Sequence, residues 1–328
     1  MASGQPDGLS DGHDQEATAQ VIIIGGGLSG LQAAHDLQES GVSCLILEAR
    51  DRVGGKLWSI PLGAGKGYVD LGGAWTNNVN QPKVTALAEK LGLQMIKQNI
   101  IGDCIVEDYG RFRYGSEPPL PREDQATFVE VRNRVEALCH TVTIADFDLV
   151  LAEYGHMSMD ELVICMGATE TVRRLVNIWT TAMLGVESTQ LSAIFFLHYC
   201  QAGGGLLQMR SDDAGGGQHL RFRNGSQSLS YGLRDGLEPN TVIYSAVVER
   251  VEQNLTSGCQ VTTRDDKIWL SAHSKLGFYA KVFLIYSEPW WRKFGLCGLS
   301  QGFNGPVSLT RDASNDQDGL FALICFVR

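Results

Sequence analysis

Three glycines at fixed offsets, a carboxylate one short strand further on and a lysine inside an apolar run are the residues of this 328-residue chain best suited to chemistry. In "VIIIGGGLSG", Gly25, Gly27 and Gly30 satisfy G-x-G-x-x-G directly after four β-favouring residues. The first glycine allows a tight turn and the second lets a pyrophosphate approach the backbone. The third lets helix and strand pack closely, with the phosphate at the helix N-terminus. Glu48 follows 18 residues after Gly30, at the end of "VSCLIL", where a carboxylate accepts hydrogen bonds from ribose hydroxyls. This is the pattern of a dinucleotide cradle. Lys281 stands in "YAKVFLIYSEPWW", on a strand otherwise rich in apolar and aromatic residues. Stripping water from an ammonium costs several kcal/mol, so this lysine either faces solvent from a strand edge or is held for a purpose. No Cys/His group has zinc spacing, and no serine lies in a G-x-S-x-G elbow. Neither a metal site nor a nucleophilic triad is expected, and His198 and His219 default to structural roles.

The elements that must position these residues follow from periodicity. Leu31, Ala34 and Leu37 continue from the glycines at helical spacing to a stop at Gly41, and "VSCLIL" reads as a second buried strand. Together they form the βαβ opening of a parallel sheet. "QPKVTALAEKLG" reads as a helix between Pro82 and Gly92, and "IVEDYGRFRY" as a hairpin turning near Gly110. From Pro121 to Gln201 the pattern is helical, with Phe128, Val131, Val135 and Leu138 on one stripe and a capping box at Ser158 and Glu161. "TVIYSAVVERVEQ" and "CQVTTRD" return to strands.

Bulk properties set limits. A net charge of −10 repels phosphate backbones and anionic headgroups, which speaks against nucleic acid as a partner. No apolar run approaches the ~20 residues of a spanning helix, so no membrane partner is expected. Eight scattered cysteines without any Cys-x-x-Cys read as reduced thiols in a reducing, cytoplasmic setting. Residues 1–19 are polar and acidic and read as a disordered leader.

Beyond the glycines, "EARDRVGGKLWS", "VDLGGAWTNNVNQ" and "EPWWRKFGLCG", in this order, resemble the flavin-containing monoamine oxidases, and the fungal amine oxidases in particular. The resemblance implies FAD as cofactor, with the first glycine loop on its pyrophosphate and Glu48 on the adenosine ribose. Arg50, Arg52, Gly54, Gly55 and Lys56 would continue along the phosphates, Lys56 standing where many members carry the planar fork of arginine. Gly72, Gly73 and Ala74 would pass beside the isoalloxazine, and Trp75 would wall the site. Val247 would meet adenine through its backbone, and Lys281 would hold a water near the flavin's reactive nitrogen. "FFLHYCQAGGG" and "SDDAGGGQ" would border the substrate cavity. The implied fold is α/β, an α+β two-domain flavoprotein with a Rossmann-like FAD-binding domain and a sheet-and-helix substrate domain. Its parts would be residues 20–115 and 221–265 for FAD, 116–220 for the helical substrate part and 266–328 for a partial substrate domain.

Against the family pattern, only "LSAHS" bridges "VTTRDDKIW" and "KLGFYAKV", where relatives carry a further strand and helical stretch. The closing region with a second flavin contact is not present. "LFALICFVR" reads as a strand lacking its neighbours, with an exposed, aggregation-prone edge, and the substrate domain as incomplete at the C-terminus. Three readings follow. One is an FAD-dependent oxidase converting an amine to an imine with O2 reduced to H2O2. Another is a non-catalytic truncated product retaining dinucleotide binding, and the third an NAD-dependent dehydrogenase. A small-molecule amine and O2 are the implied partners, and nothing in the sequence opposes a homo-oligomer. Relatives include peroxisomal proteins, but "FVR" is no such address.

Overall fold

The apolar run before the glycines forms the strand Val21–Ile24, and the glycines turn it into the helix Leu28–Glu39. Leu31 and Ala34 on that helix are fully buried, and Gly41 takes a left-handed φ of 74° just past its end. The chain returns as Cys44–Leu47, parallel to the first strand with Val21 opposite Cys44. The short strand Val242–Ile243 joins on the other side, also parallel. Cys44–Leu47 is therefore the central strand of three, and its Cys44, Ile46 and Leu47 are buried, as a strand covered on both faces requires. This computed structural model describes residues 17–142, 147–254, 258–264 and 280–327. Most of the expected leader and all of "LSAHS" lie outside the described residues.

The chain divides into two compact units. Among the described residues the first comprises 17–53 and 233–264, the second 54–232 and 280–327. Besides its parallel sheet the first unit carries a two-stranded antiparallel ribbon, Val247–Asn254 with Gly258–Arg264.

The second unit is built on a six-stranded mixed sheet. Its order runs Ala280–Tyr286, Phe321–Val327, Val307–Asp312, Leu296–Gln301, Asp103–Val106, Gly110–Arg113. The last two strands are the expected hairpin, with Val106 opposite Gly110. Contrary to the reading of "LFALICFVR" as unpaired, Phe321–Val327 is an interior strand, hydrogen-bonded to Ala280–Tyr286 on one side and Val307–Asp312 on the other. Its partners come from distant sequence, which local patterning does not reveal. Ala322, Ile324 and Phe326 pack with Val69, Leu309 and Leu320 in one of the unit's two cores.

The other core is helical. Phe128, Val131, Val135 and Cys139 line the buried face of the helix Arg122–Cys139 at 3- and 4-residue spacing, with Leu138 only partly buried beside them. They pack among Trp179, Phe196 and Leu197 from the helices Glu170–Leu184 and Ala193–Ala202. Each such fully buried side chain contributes about 1.5–3 kcal/mol. The helix Met159–Cys165 starts on a complete capping box: Glu161 N donates to Ser158 Oγ, and Ser158 N donates to Glu161 Oε2 at 2.8 Å. All eight cysteines are free thiols. No helix among the described residues is long and apolar enough to cross a membrane.

Candidate functional site

In the first unit the glycine turn has the geometry of an anion cradle. A Cβ on Gly30 would lie 2.1 Å from the carbonyl oxygen of Gly25, so only glycine permits the helix to start this close to the turn. Nothing lies within 4 Å of the positions a Cβ would take on Gly25 and Gly27, which leaves that face of the turn open. The helix has Gly27 as N-cap, with no side-chain cap and no acidic residue in its first turn. Its leading N–H groups and positive dipole end are thus available to an anion. Glu48, 7% exposed, accepts from Gly26 N at 2.7 Å through one oxygen and from Arg50 N at 2.9 Å through the other. Each oxygen keeps lone-pair capacity for a hydroxyl donor. The residues present therefore fit the ribose and pyrophosphate of a dinucleotide. Arg50 is exposed and Arg52 half-buried, and Val247 opens the ribbon opposite Arg264.

In the second unit the expected site residues gather around a turn. Gly72 N donates to Trp58 O and Gly73 N to Lys56 O, both at 3.1 Å. A Cβ on Gly72 would meet Lys56 O at 2.1 Å. Buried Asp70 anchors the turn by accepting from Ser59 Oγ and from both N and Oγ of Ser226, while Ser226 Oγ also donates to Gly73 O. Burial pushes the Asp70 carboxyl above its ordinary range, and these hydrogen bonds pull the other way. The "NGSQ" segment at 224–227 thus holds "LGGAW" in place. Trp75 is fixed by Nε1 donating to Gln98 Oε1 at 2.9 Å, and it stacks on Phe326 at 6.1 Å between centroids.

Lys281 stands opposite Phe326 in the strand register. Its Nζ donates to Gly72 O and lies 5.5 Å from the Trp75 ring centroid. Burial lowers its pKa to about 8, against the opposing attraction of Asp70. Lys281, Gly72, Gly73, Ala74, Trp75 and Lys56 all line one cavity of about 620 Å³. Gly54 and Gly55 stand outside that lining, in a left-handed turn two residues before Leu57.

The cavity also contains residues that the sequence does not single out. Among its lining residues are four cations, Lys56, Arg210, Lys281 and Arg311, and no aspartate or glutamate. Arg311 is 8% exposed and ion-paired to Asp212, itself 3% exposed, which lies behind the wall. Burial lowers the pKa of Arg311 to about 10, so its guanidinium is charged at neutral pH. Arg210 stacks on Trp179 with its Cζ 4.5 Å from the ring centroid. An arginine late in a short helix gives no signal in sequence, and neither does a strand arginine such as Arg311 whose acid lies about a hundred residues away. Tyr199, Gly217 and Gln218, from the two stretches expected to border a substrate, do line the cavity.

A second recess of about 830 Å³ lies between residues 95–102 and 314–317. Its Arg292 is already paired with Asp312 and Asp316, and Arg221 donates through its two terminal nitrogens to the carbonyls of Ala313 and Ser314. His219 accompanies it, held near Asp212 O, and His198 sits on the helix Ala193–Ala202. One trio, His35, Asp36 and Glu39, could converge on a cation, but it amounts to an i,i+4 ion pair on the face of a surface helix.

Residues 28–268 match the family model described as flavin containing amine oxidoreductase. The chain is 28% identical to flavin-containing amine oxidase B of Sus scrofa and to that of Homo sapiens, and 26% identical to amine oxidase A of Sus scrofa. Each match covers 94% of this chain, and the chain spans about 65% of the length of these relatives. Among solved structures, wild-type putrescine oxidase bound to putrescine superposes with a TM-score of 0.82 at 23% identity. Cyclohexylamine oxidase from Brevibacterium oxydans IH-35A gives 0.82 at 24%. Both cover 94% of this chain and 75% of the other.

Proposed function

This chain belongs to the flavin-containing amine oxidoreductases, whose cofactor is FAD, and from that premise we propose that it oxidises a small amine at the cavity of its second unit. When bound, FAD would supply the acceptor for a hydride equivalent from the amine carbon, with O2 reduced to H2O2 and the imine hydrolysed by water to a carbonyl compound and ammonia or an amine. The protein's own part is to bind, orient and exclude water. In the first unit, Gly25, Gly27 and Gly30 take the pyrophosphate on backbone N–H groups and Glu48 takes the ribose. Arg50 and Arg52 add positive charge, and the Val247 backbone meets adenine. In the second, Gly54, Gly55 and Lys56 continue along the phosphates, while Gly72, Gly73 and Ala74 offer backbone to the ring system. Trp75 supplies an apolar wall.

The observation that carries this reading is Lys281, held by the carbonyl of Gly72 and set over Trp75 in the cavity wall. A lysine with a pKa near 8 exchanges protons readily at neutral pH and can hold a water by one N–H while another stays on Gly72. The Gln98 and Ser226 hydrogen bonds fix the wall beforehand, so the site is organised without a ligand.

The test begins with the purified chain. Flavin absorbance at about 450 nm that survives desalting, with peroxide release on adding amines, supports the proposal. Lys281→Met should then slow flavin reduction by amine while retaining the flavin. Protein that takes up no added FAD sinks the catalytic reading. Flavin that binds yet is reduced by no amine reduces the function to cofactor binding.

A further inference from the structure

The motif "EPWWRK" stands apart from the 620 Å³ cavity, since neither Trp291 nor Arg292 lines it. Both side chains end instead on Asp312, whose neighbour Arg311 does line it. Asp312 Oδ2 accepts from Trp291 Nε1 at 3.0 Å, from Arg292 Nε at 2.7 Å and from Asn99 Nδ2 at 3.1 Å. Its Oδ1 accepts from Ser314 N at 2.8 Å. Asp312 and Trp291 are each 1% exposed. Burial alone would push the Asp312 carboxyl up, but the bonds from Arg292 and Ser314 hold it below its ordinary range, so it stays charged. A buried carboxylate gripped by these donors, one of them a guanidinium, is a rigid anchor. Gly298, at a φ of 91°, makes room for it: a Cβ there would lie 2.8 Å from Asp312 Cβ.

The main chain of the same residue carries that position onward. Asp312 O accepts from Gln98 Nε2 at 2.7 Å, and Gln98 Oε1 accepts from Trp75 Nε1 at 2.9 Å. Gln98 is 5% exposed, its own N–H is held by His219 O, and both ends of its amide are committed. Arg311 places its Cζ 5.8 Å from the Trp75 ring centroid, and Phe326 stacks on that ring. The strand Val307–Asp312 therefore holds the indole twice, at its ring through Arg311 and at its N–H through Gln98. Ring contacts are only weakly directional, so the N–H bond sets the angle of the indole.

Resting on the amine-oxidase reading above for its effect on turnover, we propose that Asp312 and Gln98 are positioning residues for the cavity wall. The grip of Trp291, Arg292, Asn99 and Ser314 on Asp312 sets, through Gln98, where the Trp75 indole stands beside an amine. Arg292 thus acts on a cavity that it does not line.

Fluorine NMR of the full chain labelled with fluorotryptophan tests this, with the Trp75 resonance assigned through Trp75→Phe. Gln98→Met removes both links. It should shift that resonance and slow flavin reduction by phenethylamine about tenfold or more in the FAD-supplemented chain. Arg292→Met should shift the same resonance, and Arg292→Lys should return it part of the way. Once residue 98 carries Gln98→Met, adding Arg292→Met should move it no further. Ser158→Ala, which opens a helix cap away from this network, should leave it in place. The proposal is overturned if Gln98→Met or Arg292→Met leaves the Trp75 resonance unmoved in a folded chain. It is equally overturned if the Arg292→Met shift persists in the Gln98→Met background, or if Gln98→Met is reduced at the wild-type rate. Should Arg292→Met not fold, Arg292→Lys in the two Gln98 backgrounds decides. A wild-type chain that no amine reduces removes the oxidase reading alone, while the fluorine resonance still reports on Gln98 and Arg292.

Discussion

The glycine cradle of the first unit and the cavity of the second are built by opposite means. Around Gly25–Gly30 the working groups are backbone amides and the open space that absent side chains leave, with Glu48 pinned between Gly26 N and Arg50 N. The cavity works through large side chains: Trp75 stacked on Phe326, Arg210 on Trp179, and Arg311 balanced by an aspartate outside the wall. Backbone recognition depends on conformation and tolerates no added volume. Side-chain recognition depends on charges whose balance is set inside the protein, where each unpaired charge is costly. The first should therefore break through sterics and the second through electrostatics.

The sharpest challenge to that contrast is Asp212→Ala, which leaves Arg311 buried and unpaired. It should destabilise the chain by about 3–5 kcal/mol in urea titration, and a cost under one would mean that Arg311 is solvated and the cavity is no charged chamber. Gly30→Ala comes next. Its methyl group would press on Gly25 O, so a loss of about 1–3 kcal/mol should accompany loss of FAD retention after desalting, and retained flavin would break the steric account of the cradle. Ser158→Ala touches neither site. Opening the capping box should cost about 1 kcal/mol and leave flavin content and amine oxidation unchanged, a control for non-specific loss.

The remaining effect is a pH dependence. Burial depresses the Lys281 pKa to about 8 from 10.5, so below pH 8 the folded chain carries a desolvated charge. From about pH 8 to 10.5 the unfolded chain still binds the proton that the folded one has released. The contribution of Lys281 to stability therefore rises with pH across that window. The urea midpoint of wild type minus that of Lys281→Met should climb over this range, and a flat difference would show that Lys281 is solvated.

Legibility follows the same divide. The βαβ unit, the helices ending at Gly41 and Gly92 and the Ser158 capping box rest on interactions within a few residues, and all are open to inspection in the chain. Lys281 was conspicuous because a cation interrupts an apolar strand, but whether it faced water or a wall was not. "LFALICFVR" was misjudged for a related reason. Strand pairing is non-local, and its two partners lie at 280–286 and 307–312.

By itself, then, the sequence determined the glycine turn, its acid and the order of motifs that marks the family, because local spacing is enough to encode a backbone-lined cradle. Only the tertiary structure decided that Arg210, Trp179 and Gln218 share a wall, that Asp212 balances Arg311, and that Lys281 rests on Gly72. Those relations join residues that are apart along the chain, and packing alone brings their charges within reach of one another.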